Sequence, residues 1–267
     1  MKYIDFHTHI FPETIAKQAV DALAANSGKY RPCTDGTLKG LLDSMQRADI
    51  SASLVANIAM TPAQMYPILE YCKEIRSSSI HPLVSFHPSN SPEDVEEMLG
   101  QAQREKIRGV KLHPQYQNFN IDDKWMYGFY ELIASCGLFV LFHSGYDRAY
   151  PGNTMADVER IKKIADWFKD LTIVCTHVGG WKQWDRISCL SACANVHTET
   201  SLTLSEVRDE EFIRLISHFD EDRVLFGSDS PWTDQQEMLR RTVELNISDA
   251  RKEKLLYKNA ANLLKLT

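Results

Sequence analysis

Eight short apolar, β-branched runs alternate with longer stretches of helical periodicity, and this alternation constrains the chain more than any other feature. The runs cover residues 3–10, 53–58, 82–87, 109–113, 139–143, 172–177, 196–200 and 224–228. Helical patterns over 37–48, 62–77, 92–106, 123–136, 155–168, 181–193, 209–219 and 234–245 lie between and after them, and a last one over 250–266 closes the chain. Local chemistry supports the boundaries. Thr61 and Ser91 read as N-caps ahead of Pro62 and Pro92, which suit a first helical turn. Asp94 then falls where the helix macrodipole favours negative charge, and Gly137 fits a left-handed helix end. Eight β/α units at a spacing of roughly 30 residues predict an α/β fold, a closed parallel (β/α)8 TIM barrel. The 267 residues are expected to form it as a single domain, 1–267, since such a barrel needs about 250. A doubly wound open sheet is the alternative, but it calls for a glycine-rich phosphate loop after the first strand, and the sequence has none there. Residues 26–36 read as part of a long active-site loop.

Apolar residues make up 43% of the chain and charged residues 25%, the balance of a soluble globular protein. The net charge of −6 argues against a nucleic-acid surface, which needs clustered lysine and arginine. The pairs Lys162–Lys163 and Arg240–Arg241 fall in helical patterns and read as solvated faces. No run approaches the roughly 18 apolar residues of a membrane span, and the N-terminus opens on a strand without the features of a secretory signal. None of the six cysteines forms a C-x-x-C pair. Cys189 and Cys193 are expected on one helical face, and buried free thiols in a reducing cytoplasm are the reading for the set. A small molecule is the expected partner, with neither nucleic acid nor membrane.

Catalytic side chains of a barrel come from the C-terminal ends of its strands, and those ends carry unusual chemistry here. Strand 1 ends in His7-Thr8-His9, strand 3 in His87-Pro88, strand 4 in Lys111-Leu112-His113-Pro114 and strand 5 in His143-Ser144-Gly145. Strand 6 ends in His177-Val178-Gly179-Gly180 and strand 8 in Gly227-Ser228-Asp229-Ser230-Pro231. Side chains alternate along a strand, so His7 and His9 point to one side. Two imidazoles on one face suit a divalent metal of zinc type, and His143 and Asp229 are placed to add a third nitrogen and a carboxylate. A lone histidine at a strand end is ordinarily a hydrogen-bonded structural residue. The combination is harder to explain by packing, because buried His and Asp are costly unless paired or metal-bound.

The ordered set Asp5-Phe-His-Thr-His9, His143, Thr176-His177-Val-Gly-Gly180, Gly227-Ser-Asp-Ser-Pro231 and Asn259-Ala-Ala-Asn-Leu-Leu264 resembles the amidohydrolase superfamily. It is most similar to the branch of the aminocarboxymuconate-semialdehyde decarboxylase relatives, over nearly the whole chain. The resemblance implies an amidohydrolase-type barrel with His7, His9, His143 and Asp229 as metal ligands, Asp229 also accepting a proton. It implies His177 as the acid/base or substrate-polarising residue, or as ligand to a second ion. It leaves Lys111 open: a carboxylated bridge between two metals, a cation for a substrate carboxylate, or a partner of Asp or Glu. Relatives are often oligomers, so a homo-oligomer is compatible.

The expected cofactor is one divalent ion, most simply Zn2+, with a second ion if Lys111 is carboxylated or His177 is a ligand. The first expectation for activity is hydrolysis of a small amide, lactone or ester by metal-activated water. The alternative is a carboxy-lyase or hydratase acting on a carboxylated, ring-derived substrate, and a third class is a non-catalytic metal-binding scaffold. For substrate contacts, Arg148 suits a carboxylate or a surface salt bridge, and His113 a substrate hydrogen bond or a cap near Pro114. Trp181, Trp184 and Trp232 suit a pocket wall or packing beneath the loops. Glu199 suits a place behind a ligand or beside Lys111, and His87 a structural role.

Overall fold

The computed structural model describes residues 2–27 and 31–266. By its contacts the chain falls into two compact units, one made of Met1–Ala56, Ser77–His81 and Glu199–Thr267, the other of Asn57–Arg76 and Pro82–Thr198. All eight expected strands are present: β1 (Ile4–Thr8), β2 (Ala52–Ala56), β3 (Ile80–Leu83), β4 (Gly109–Leu112), β5 (Phe139–Phe142), β6 (Ile173–Cys175), β7 (Val196–Glu199) and β8 (Val224–Leu225).

In the first unit β1 and β2 run parallel, Ile4 opposite Ala52 and Asp5 opposite Ser53. On the other side of β1, Phe6 N–H donates to Phe226 O at 2.7 Å and Asp229 N–H donates to His7 O at 2.8 Å. Every residue of β1 and of β2 is buried, as for parallel strands covered on both faces. Helices flank them over Glu13–Ser27, Leu38–Ala48, Asp209–Ile216 and Gln235–Glu244. The Leu38–Ala48 helix buries Leu41, Ser44, Met45 and Ala48, the stripe that a 3.6-residue period predicts. Its start is fixed by Thr37, whose hydroxyl accepts from Gly40 N–H at 2.9 Å.

In the second unit β4, β5, β6 and β7 are parallel and in sequential order, with Gly109 opposite Phe139, Val140 opposite Ile173, and Ile173 opposite Val196. Gly109 has no room for a side chain, because a Cβ there would lie 2.6 Å from the Phe139 ring. Helices Met65–Ile75, Pro92–Arg104, Tyr127–Ser135 and Val158–Trp167 accompany these strands. Ser91 caps the second, accepting from Asp94 N–H at 3.1 Å, with Pro92 in the first turn as the sequence predicts.

Two expectations change. The helix over 181–193 shrinks to a 3-10 turn, Ile187–Leu190, so Cys189 and Cys193 do not share a helical face. Trp181 instead forms a parallel bridge with Gly145, and Lys182 takes a left-handed backbone at φ 59°, which stops a helix from starting. Conversely, Glu13–Ser27 is a helix the periodicity does not reveal, and it takes the first residues of the expected 26–36 loop. Residues 28–30 of that loop lie outside the described residues. All six cysteines are free, with Cys72, Cys175 and Cys193 buried but Cys33 exposed. No described helix is long and apolar enough to cross a membrane.

Candidate metal centre

The His-x-His of β1 and the aspartate after β8 meet in the first unit. His7 Nε2 lies 3.1 Å from His9 Nε2. Asp229 Oδ1 lies 3.1 Å from His9 Nε2 and 3.5 Å from His7 Nε2. The protons of both rings are accounted for on the far sides. His9 Nδ1 stands 2.8 Å from Ala56 O, and a carbonyl only accepts, so Nδ1 carries the proton. His7 Nδ1 stands 2.9 Å from Glu199 Oε1, and a carboxylate likewise only accepts. In the neutral rings both Nε2 atoms therefore present lone pairs, to each other and to a carboxylate oxygen. Three acceptors converging with His7 and Asp229 buried repel one another unless a cation stands among them. The residues fit a divalent ion on this ground.

The surrounding backbone holds the three in place. Asp229 has φ 71°, a left-handed conformation that an aspartate tolerates better than most residues. Behind β1, Asp5 ties the start of the strand to the β8 loop. Its carboxylate accepts from Ser228 Oγ at 2.5 Å, Ser228 N–H at 2.9 Å, Gln235 Nε2 at 2.7 Å and His7 N–H at 3.1 Å. Burial pushes the Asp5 carboxyl up to about 6 despite those bonds. Cys33 N–H donates to Pro231 O at 2.7 Å, so the described part of the expected active-site loop does run beside the Asp229 turn.

A second cluster, His113, His143 and Asp147, lies in the other unit. The two imidazoles stack with centroids 4.1 Å apart, and Asp147 Oδ2 is 3.5 Å from His113 Nε2 and 3.8 Å from His143 Nε2. Its protons sit differently. His113 Nδ1 accepts from Tyr116 N–H at 3.4 Å, which puts the ring proton on Nε2, towards Asp147. His143 Nε2 lies 3.0 Å from Tyr146 O and so donates. His143 must surrender that bond before Nε2 can bind an ion. Burial holds the His143 imidazole well below its usual value, and His113 beside it adds to the effect. Burial pushes the Asp147 carboxyl up, but the His113 bond and the two imidazoles outweigh it and hold the group well below the carboxylate range. His177 packs edge-on against His143 at 5.1 Å.

The sequence profile of the amidohydrolase family matches residues 4–266. The chain belongs to that family. No curated protein sequence matches this amidohydrolase, whereas solved structures do. An uncharacterised TIM-barrel protein, Bb4693, from Bordetella bronchiseptica superposes with a TM-score of 0.82 at 21% identity, covering 99% of each chain. The 5-carboxyvanillate decarboxylase LigW from Sphingomonas paucimobilis gives 0.73 at 16% identity, over 100% of this chain and 99% of its own. The 5-carboxyvanillate decarboxylase LigW2 from Novosphingobium aromaticivorans, with bound manganese and 3-methoxy-4-hydroxy-5-nitrobenzoic acid, gives 0.74 at 12% identity, over 99% and 97%. The fold of this amidohydrolase is the expected α/β one, a (β/α)8 barrel.

Within the amidohydrolase fold, His7, His9 and Asp229 come together as the sequence predicts. His143 groups with His113 and Asp147 in the other unit. His177 opens a run of three left-handed residues, His177 (58°), Val178 (53°) and Gly179 (86°), and its carbonyl accepts from Trp184 Nε1 at 2.9 Å. His113 caps the short helix Pro114–Gln117, one of its two expected roles. Lys111 is buried in the second unit at 1% exposure. Arg148 stands over the Trp181 ring at 5.1 Å. Trp181 is buried at 9% exposure, and its indole N–H meets no acceptor. Sequence reasoning missed Asp147 as partner of His113, and it missed Ser201, Ser228 and Gln235 as supports. Ordinary polar residues on loops or in the first turn of a helix carry no signal of that kind.

Proposed function

We propose that this chain is a metal-dependent carboxy-lyase acting on a small carboxylated ring compound. The observation that carries the metal part is the meeting of the His7 and His9 lone pairs with the Asp229 carboxylate, all facing one point. Sequence reasoning alone puts hydrolysis first. The order reverses because structures sharing the fold include 5-carboxyvanillate and 2,6-dihydroxybenzoate decarboxylases.

His7, His9 and Asp229 would hold a divalent ion, Zn2+ or Mn2+, and the family resemblance adds His143 as a ligand. When bound, the ion supplies Lewis acidity that stabilises negative charge developing on the substrate. The substrate carboxylate leaves as carbon dioxide, the C–C bond breaks, and its electron pair stays on the ring carbon, which takes up one proton. His177 and Asp229 are the groups proposed to hold and deliver that proton. Arg148, braced on the Trp181 face, is proposed to bind the carboxylate, since guanidinium pairs with it bidentately. The unpartnered Trp181 N–H offers a further donor for a substrate oxygen. Lys111 and His113 complete the proposed substrate contacts. Free thiols suit a reducing cytoplasm, where we place the protein.

Hydrolysis of a lactone, amide or ester remains the second reading, favoured by the same ion-binding triad. Incubating the Mn2+- and Zn2+-loaded protein with carboxyl-13C hydroxybenzoates, lactones and amides separates the two. Labelled carbon dioxide is expected from the carboxylates. Acid released from lactones or amides, with no carbon dioxide from any carboxylate, would reverse the order again.

A further inference from the structure

Glu199 ends β7, a fully buried carboxylate in a position where strands disfavour glutamate. Its side chain is held from several sides within the first unit. Oε1 lies 2.9 Å from His7 Nδ1 and accepts from Ser201 Oγ at 2.7 Å. Oε2 accepts from Ser201 N–H at 2.6 Å. Ser201 Oγ is also 3.1 Å from His7 Nδ1; having donated its proton to Glu199, it can share the imidazole N–H. Gly227 closes the remaining side, because a Cβ there would stand 2.2 Å from Glu199 Oε2 and 3.2 Å from His7 Cβ. A glycine at the head of the Gly-Ser-Asp-Ser-Pro motif thus makes room for a carboxylate 28 positions earlier, at 199 against 227.

We infer that Glu199 is a positioning residue that fixes His7 in its Nδ1–H tautomer, so that the Nε2 lone pair faces the cation position. The two imidazoles are controlled differently. His9 takes its tautomer from a backbone carbonyl, Ala56 O, which no side-chain change removes. His7 takes its own from a side chain, so its state is open to substitution. A carboxylate behind an imidazole also raises the basicity of the opposite nitrogen. The inference rests on the reading that His7 binds an ion, but the tautomer itself exists without one.

Glu199→Gln keeps the shape and removes the charge. If the amide oxygen faces His7, the amide NH2 meets Ser201 N–H, donor against donor. If the NH2 faces His7, Nδ1 must accept, the proton moves to Nε2, and the lone pair is lost. The test uses the full-length, chelator-stripped protein labelled with 15N-histidine, read by long-range 1H–15N spectra, and Mn2+ or Zn2+ affinity by competition with a chromophoric chelator. In the wild type, His7 is expected as Nδ1–H. Glu199→Gln is expected to populate Nε2–H and to weaken metal binding by about 10- to 100-fold. Glu199→Asp, which retains an acceptor, is expected to keep the Nδ1–H signature and lose less affinity. An unchanged His7 spectrum and an unchanged dissociation constant in a folded Glu199→Gln protein would overturn the assignment. Should Glu199→Gln fail to fold, a His7 that is already Nε2–H in the wild type or in Ser201→Ala overturns it. A wild type that binds neither ion would refute the metal reading alone, since the metal-free spectra still decide the role of Glu199.

Discussion

A proton's place on an imidazole decides what His7 and His9 can do. With both Nδ1 atoms donating away from the centre, the two Nε2 atoms and Asp229 Oδ1 form a set of acceptors that suits an ion and little else. Replacing His7 or Asp229 by alanine should therefore remove bound metal and activity together, as measured by metal analysis of dialysed protein beside a turnover assay. Full metal and full turnover in either variant would contradict the assignment. His177→Asn should behave differently, keeping the ion while slowing turnover by about 10²- to 10⁴-fold, the usual worth of a general acid or base. Loss of the ion in that variant would make His177 a ligand. Gly227→Ala should destabilise the fold by about 1–3 kcal/mol, as overpacking does, since the new methyl meets a carboxylate already locked by Ser201. Denaturant midpoints against the wild type measure this, and an unchanged midpoint would mean that Glu199 can move aside.

At the scale of elements, tertiary ties override local pattern at identifiable places. The strands were legible because each is a short apolar run, and His-x-His was legible because a two-residue repeat puts both side chains on one face of a strand. The Glu13–Ser27 helix is not legible in the sequence because it buries only small or β-branched groups such as Ala16 and Val20, a weak apolar stripe. At 181–193 the pattern misleads in the opposite direction, because Trp181, Trp184 and Ile187 mimic helical spacing. Trp181 is instead bound to the β5 loop, where a Cβ on Gly145 would lie 2.4 Å from Trp181 N. The Glu199–His7 contact spans 192 positions, so only the fold discloses it. A further tie joins the Val158–Trp167 helix to the loop before Tyr127–Ser135, where Asp122 pairs with Arg160 and Lys163. Burial pushes the Asp122 carboxyl up, but those two cations outweigh it and hold it below its usual 3.8. A carboxyl lowered in the folded state stabilises the fold above its unfolded value and loses that contribution as pH falls through the folded one. Asp122→Asn should thus cost about 1–2 kcal/mol at neutral pH. The gap to the wild type should close below about pH 3.8, as read from denaturation curves across pH. A pH-independent gap would point to packing instead of charge.

For the whole molecule, family membership and fold follow from the order of motifs along 4–266, while the choice between decarboxylation and hydrolysis does not. Both reactions call on the same ion and the same proton carriers, and they differ in the groups that hold the substrate. Everything proposed for activity depends on the ion being where the lone pairs meet. Anomalous diffraction from crystals grown with Mn2+ or Zn2+, recorded on both sides of the metal's absorption edge, tests that directly. The account predicts a peak at about 2.0–2.2 Å from His7 Nε2, His9 Nε2 and an Asp229 oxygen. A metal-replete crystal with no peak there, or with its only peak against His113 and Asp147, would contradict it.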